Sequence, residues 1–177
     1  MKTALLVIDV QHGLFDQTPR PFEAEAVIER INTLTAKARA AEVPVIFIQH
    51  EASDIEYNSA DWQLQRGLQV KEGDVKLRKN TPDSFLRTEL EALLASWHTE
   101  QVVICGYASE FCVDTTTRRA AALGYPVMLV SDAHTTHDKP HATGLQIRAH
   151  ENATLPHIDS FGPKITAVAT SELHFAS

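Results

Sequence analysis

Only two of the 177 residues are cysteines, Cys105 and Cys112. That scarcity excludes a disulfide-stapled scaffold, so the folded state must rest on a hydrophobic core. Cys105 closes an apolar strand pattern and reads as a buried core thiol. Glycine is also thin, at seven residues. The first strand is followed by Asp9-Val10-Gln11-His12-Gly13, and a single glycine cannot cradle a pyrophosphate, which sets aside a nucleotide-binding loop. Positive charge is in deficit, with 16 Lys and Arg against 23 Asp and Glu and a net charge of -7. Nucleic acid and anionic membranes both demand a basic face, so the expected partner is a small molecule, with no nucleic acid and no membrane. Neither the opening MKTALLVIDV nor any later segment joins a charged start to a long apolar stretch and a cleavage site. The expectation is a cytoplasmic, reduced protein.

What the chain does have is 44% hydrophobic residues, enough at this length for a single domain over residues 1–177. Thr3 to Asp9 is an unbroken apolar run ending in a carboxylate, the pattern of a parallel strand buried on both faces. From Glu23 to Ala41, the helical spacing of Val27, Ile31, Leu34 and Ala38 predicts a helix that stops before Pro44. Further strands are expected at Val45–Ile48, Val75–Arg78, Gln101–Cys105, Pro126–Val130 and Lys164–Ala169. Between them, Thr88-Glu89-Leu90-Glu91 reads as a capping box opening a helix that ends near His98. Glu110–Leu123 reads as the next helix, with Gly124 as its stop, and Pro140 to about Asn152 as the last. Residues 49–74 lose periodicity, and so long a polar connection suggests a lid or binding segment. The alternation predicts an α/β fold, a doubly wound, Rossmann-like, six-stranded and mostly parallel sheet with helices on both faces. Ligands are then expected beyond the carboxyl ends of the strands.

Cys112 stands where an apolar strand breaks at Gly106 and restarts as a helix. Ser109 is placed to cap that helix, which sets Cys112 near its third position, where free N–H groups and the positive end of the dipole favour a thiolate. The competing reading is a small buried hydrophobe. Asp9 and Lys79 decide between them, because both lie at strand ends on the same rim of the sheet as Cys112. An acid, a cation and a thiol together supply a proton carrier, a stabilising charge and a nucleophile. Gln11, Phe15, Trp62 and Tyr107 flank that rim and are candidates for the substrate pocket.

These residues resemble the isochorismatase-like cysteine hydrolases, which include nicotinamidases, N-carbamoylsarcosine and ureidoacrylate amidohydrolases and streptothricin hydrolases. The matching pieces are Leu5-Leu6-Val7-Ile8-Asp9-Val10-Gln11, then Arg78-Lys79 with Ser84-Phe85 and Thr88, then the stretch from Val103 to Asp132. The resemblance implies Asp9 as general base, Lys79 as electrostatic partner and Cys112 as nucleophile. It also implies a non-proline cis peptide between Tyr107 and Ala108, aiming the Ala108 and Cys112 N–H groups into an oxyanion hole, and a homodimer or higher homo-oligomer. The expected activity is hydrolysis of an amide or ureido C–N bond of a small molecule through a thioester. Vinyl ether hydrolysis of the isochorismatase type and a non-catalytic thiol redox sensor stay open as alternatives.

Nicotinamidases of that family carry a metal site in an Asp-x-His segment after the second strand. Here the place reads Ile48-Gln49-His50-Glu51-Ala52, which lacks the ligand pattern, and His50 alone reads as a polar loop residue. His134, His137 and His141 follow Ser131-Asp132-Ala133, and Pro140 prevents one helix from carrying all three, so a surface or interface loop is expected. No metal and no cofactor is expected.

Overall fold

A computed structural model describes residues 1–175. Six parallel strands form one sheet: β1 (Thr3–Ile8), β2 (Val45–His50), β3 (Val75–Lys79), β4 (Gln101–Tyr107), β5 (Val127–Thr135) and β6 (Ile165–Val168). Their order is β3-β2-β1-β4-β5-β6. The chain therefore builds outward from β1 to β3 on one side, then crosses to β4 on the other. That reversal opens a crevice beyond the carboxyl ends of β1 and β4, where doubly wound sheets bind ligands.

The side-chain period of two divides β1 between two cores. Ala4, Leu6 and Ile8 pack with Ile46, Ile48, Leu90, Leu94, Ala120 and Ala121 on one face. Leu5 and Val7 pack with Phe47, Val103, Cys105 and the inner stripe of the long helix on the other. That helix is α2 (Ala24–Ala40), following the single turn α1 (His12–Phe15), and its fully buried Val27, Ile31 and Leu34 each contribute about 1.5–3 kcal/mol of apolar burial. Helices α3 (Leu90–Ser96) and α4 (Asp114–Ala122) cover the opposite face. No helix among the described residues is long and apolar enough to cross a membrane.

Where the structure departs from expectation, polar residues have found partners that periodicity does not reveal. β5 runs five residues beyond Val130, because Asp132 accepts from Thr170, His134 pairs on both ring nitrogens and Thr135 donates to the Phe22 carbonyl. The register shift between Ile104 and Gly106 sets Gly106 opposite His134 and Tyr107 opposite Thr135. Gly106 itself, at φ +118, lies so close to β1 that a Cβ would meet the Ile8 carbonyl oxygen at 2.1 Å. The capping box expected at Thr88 does not form. Thr88 Oγ1 donates to the Ser84 carbonyl at 2.6 Å and accepts from Leu90 N at 3.3 Å, and α3 begins two residues later. A reciprocal box instead joins Thr143 and Gln146, and it starts α5 (Gly144–Thr154) well past Pro140.

Candidate active site

Asp9, His50 and Lys79 lie at or just past the ends of β1, β2 and β3, and the parallel register sets His50 directly beside Lys79. Asp9 turns the chain in the left-handed region at φ 52, which side chains other than glycine rarely adopt. Its N–H still donates to Ile48 O at 2.9 Å. Lys79 is buried for a simple reason: alternation along β3 puts it on the same side as Leu77, facing the core. Cys112 arrives from the other side of the crevice. Residues Ser109–Val113 form a π-helical turn between β4 and α4, and its inner side buries Cys112 and Val113. The Tyr107–Ala108 peptide before the turn is cis.

The Lys79 ammonium is the hub. Nζ lies 2.9 Å from Asp9 Oδ2, 3.0 Å from His50 Nδ1, 3.1 Å from the Thr81 carbonyl and 3.3 Å from Cys112 Sγ. Four neighbours share three N–H bonds, so the longest contact, to sulfur, is also the least committed. Asp9 Oδ1 is buried and has no hydrogen-bond partner among the described residues, which leaves one carboxylate oxygen open toward the thiol. Side chains of Lys79 and Asp9 are 0% and 2% exposed, so their charges must satisfy each other.

The surroundings of Cys112 favour the thiol over the thiolate expected from its sequence position. Burial, followed by the negative charge of Asp9, pushes its pKa up to about 12, and Lys79 only partly offsets them. The expected cap is missing as well. Ala108, not Ser109, precedes the turn, no side chain caps it, and the π geometry carries Cys112 away from the expected third position. Cys105 is buried and free, its Sγ 3.6 Å from the Leu6 carbonyl, and burial drives its pKa upward.

His50 was expected in a loop, yet it ends β2 and touches the hub. Burial and then the Lys79 charge lower its pKa, which leaves Nδ1 as an acceptor for the ammonium. Ligand atoms of Asp9, His50 and Cys112 lie within 4.8 Å of one another, close enough to suggest a metal site. The donor set does not fit one, because the Lys79 ammonium contacts all three atoms and would oppose a second cation there.

Of the residues expected to wall the pocket, Gln11 is fully buried and works as a staple. Its Oε1 accepts from His50 N, and its Nε2 donates to the carbonyls of His50 and Trp62. With Gln49 Nε2, which also donates to the Trp62 carbonyl, Gln11 pins the middle of residues 51–74 to the rim. Phe15 has no exposed surface and meets Tyr107 edge-on at 5.9 Å, so it supports Tyr107 from the core. Tyr107 is partly exposed and shares a 2.7 Å hydrogen bond with His137 Nδ1. Trp62 is 9% exposed and packs edge-on against Tyr57.

The histidines after Ala133 do not form one surface cluster. His134 is fully buried in β5, with Nδ1 2.8 Å from Ser109 Oγ and Nε2 2.8 Å from Asn152 Oδ1. The Asn152 amide nitrogen donates to Ser131 O, so Asn152 Oδ1 accepts the Nε2 proton and Nδ1 accepts from the Ser109 hydroxyl. Burial holds the His134 pKa down to about 4. His137 is half-buried against Tyr107, and His141 is exposed. Sequence reasoning missed the roles of Ser109, His134 and Asn152. The one available signal was polar Ser131-Asp132-Ala133-His134 directly following an apolar strand.

Comparison with known proteins agrees with this architecture. The model of the isochorismatase domain matches residues 3–159. A streptothricin hydrolase of Streptomyces noursei is 36% identical over 143 residues, which cover 78% of this chain and 51% of that protein. The chain thus spans about half the length of the streptothricin hydrolases it matches, 51% and 58% for two of them. A ureidoacrylate amidohydrolase of Serratia proteamaculans is 29% identical over 200 residues, covering 90% of this chain and 77% of that protein. A crystal structure of an isochorismatase family protein superposes with a TM-score of 0.86 at 33% identity, covering 95% of this chain and 98% of that one. From the first strand to the turn beyond α5 the sequence follows one family model, and the chain belongs to the isochorismatase family.

Proposed function

We propose that this chain is a cysteine-dependent hydrolase of a small-molecule C–N bond, amide or ureido, acting through a thioester. The observation that carries the reading is the Lys79 ammonium held between Asp9 and Cys112 in a buried site. Because burial and Asp9 favour the protonated sulfur, attack is coupled to proton transfer. The open Oδ1 of Asp9 takes the S–H proton as sulfur bonds to the carbonyl carbon. Lys79 offsets the negative charge, and the N–H groups of Ala108 and Cys112 stabilise the oxyanion, where one donor is typically worth about 3–4 kcal/mol of barrier. As the tetrahedral intermediate collapses, the C–N bond breaks and the amine leaves with the proton from Asp9. Water, deprotonated by Asp9, then attacks the thioester, and the departing thiolate recovers that proton, which returns the site to its starting state.

The names of the relatives support this substrate class, since a streptothricin hydrolase and a ureidoacrylate amidohydrolase are both among them. The homodimer or larger assembly implied by the family resemblance belongs to the same proposal. A panel of small amides and ureas, assayed for release of ammonia or amine, tests the reading. Turnover of at least one member by the native protein and none by Cys112→Ala is expected. Full activity in Cys112→Ala would overturn it.

A further inference from the structure

A second cavity, of about 510 Å³, opens between the π-helical turn and α5. Glu110 and Glu151 form its acidic wall, His141 and His150 stand on its lining, and Ile147 and Ala142 supply apolar surface. Glu151 is 6% exposed, and its buried Oε2 has no hydrogen-bond partner among the described residues. Glu110 is half satisfied. Its Oε1 accepts from Thr136 Oγ1 at 3.0 Å and lies 3.5 Å from Lys139 Nζ, while its buried Oε2 also lacks a partner. Carboxylate oxygens left unpaired in the interior are costly, and a cation is the partner that would offset that cost.

We propose that this cavity binds an organic cation, an alkylammonium or alkylguanidinium group held by Glu110 and Glu151. A metal ion suits it less well. Among the described residues, the one trio of ligand atoms close enough to share an ion is at Asp9, His50 and Cys112, away from this cavity. An ammonium or guanidinium group carries its own N–H donors for the two carboxylates, and a hydrocarbon stem would lie along Ile147 and Ala142. The volume falls within the range of small-molecule sites, and the chain's net charge of -7 draws cations toward it.

The sign of the pH dependence follows from the groups around Glu151. Burial, Asp114 and Glu110 hold its pKa up to about 7, and Arg118 opposes them while paired to Asp114. Below that value Glu151 takes a proton and loses the charge that would hold the cation. Acid should therefore expel a bound cation.

Isothermal titration of the full chain with n-butylguanidine, and with neutral n-butylurea as control, tests the site without any catalytic turnover, so its outcome is separate from that of the hydrolase reading. The native chain should bind n-butylguanidine saturably at about pH 8 and about tenfold or more weakly at about pH 5.5. Glu151→Gln should weaken binding about tenfold at the higher pH, with Glu110→Gln acting in the same direction, and n-butylurea should not bind. No saturable binding by the native chain, equal binding of n-butylurea, or unchanged affinity in both variants would overturn the proposal.

Discussion

Two buried polar clusters meet at the turn that carries Cys112, and they are built on opposite principles. The Lys79 hub is ionic and incompletely satisfied. Four neighbours compete for three N–H bonds, and Asp9 Oδ1 has no hydrogen-bond partner among the described residues. The Ser109–His134–Asn152 chain is neutral, and each of its hydrogen bonds has a donor matched to an acceptor. A satisfied network rigidifies, whereas an unsatisfied one keeps an acceptor ready for a proton in motion. One short turn thus serves two purposes: it is anchored through Ser109 and presents Cys112, three residues later, to the incompletely satisfied cluster.

Breaking the ionic cluster should have the largest effect. Lys79→Met leaves the buried Asp9 carboxylate without its counter-ion, and a loss of about 3–5 kcal/mol in urea denaturation is expected. Adding Asp9→Asn to that variant removes the stranded charge and should restore part of the stability while leaving hydrolysis abolished. No recovery in the double variant would show that the two charges do not depend on each other.

The neutral cluster should respond less. Ser109→Ala leaves His134 Nδ1 buried without a donor, at a cost of about 1–3 kcal/mol. Because Ser109 acts through the turn's position, the same variant should lower kcat more than it changes KM, and Ser109→Thr, which keeps the hydroxyl, should recover part of the rate. Equal stability in Ser109→Ala would mean that the relay does not anchor the turn.

The smallest effect is a pH dependence. His134 has a folded-state pKa of about 4, below its ordinary value of 6.5, so the unfolded chain binds more protons between those values. Its contribution to stability is thus complete above about 6.5 and is lost as the pH falls toward 4, with a limiting slope of about 1.4 kcal/mol per pH unit. Glu151, whose pKa is raised to about 7, slopes the other way in the same range. The informative quantity is therefore the difference between native and His134→Gln unfolding curves, and identical slopes would contradict a neutral buried His134.

Much of the fold was legible because burial imposes periodicity. The apolar run of β1 and the 3.6-residue stripe of α2 each followed from spacing alone. Asp9 was visible as a charge closing an apolar strand, and Lys79 as the last residue of an alternating one. The protonation state of Cys112 was not, since it depends on how far burial and Asp9 outweigh Lys79, and neither can be judged from position in the chain. His134 was misplaced for a related reason. A polar residue inside a strand looks like a loop until the Ser109 and Asn152 side chains that satisfy it are brought together by the sheet. Thr88 shows the converse: a motif with suitable residues formed no capping box, because the helix starts at Leu90 with Glu89 at its N-cap, while the Thr88 hydroxyl bonds Ser84 O and Leu90 N just ahead of it.

The most direct test of the central claim is intact-protein mass spectrometry of the chain quenched during turnover of an amide substrate found by the panel. An adduct with the mass of the acyl group is expected, mapped to Cys112, released by hydroxylamine and missing in Cys112→Ala. Turnover with no adduct at Cys112 under single-turnover quenching, together with undiminished activity in Cys112→Ala, would contradict it.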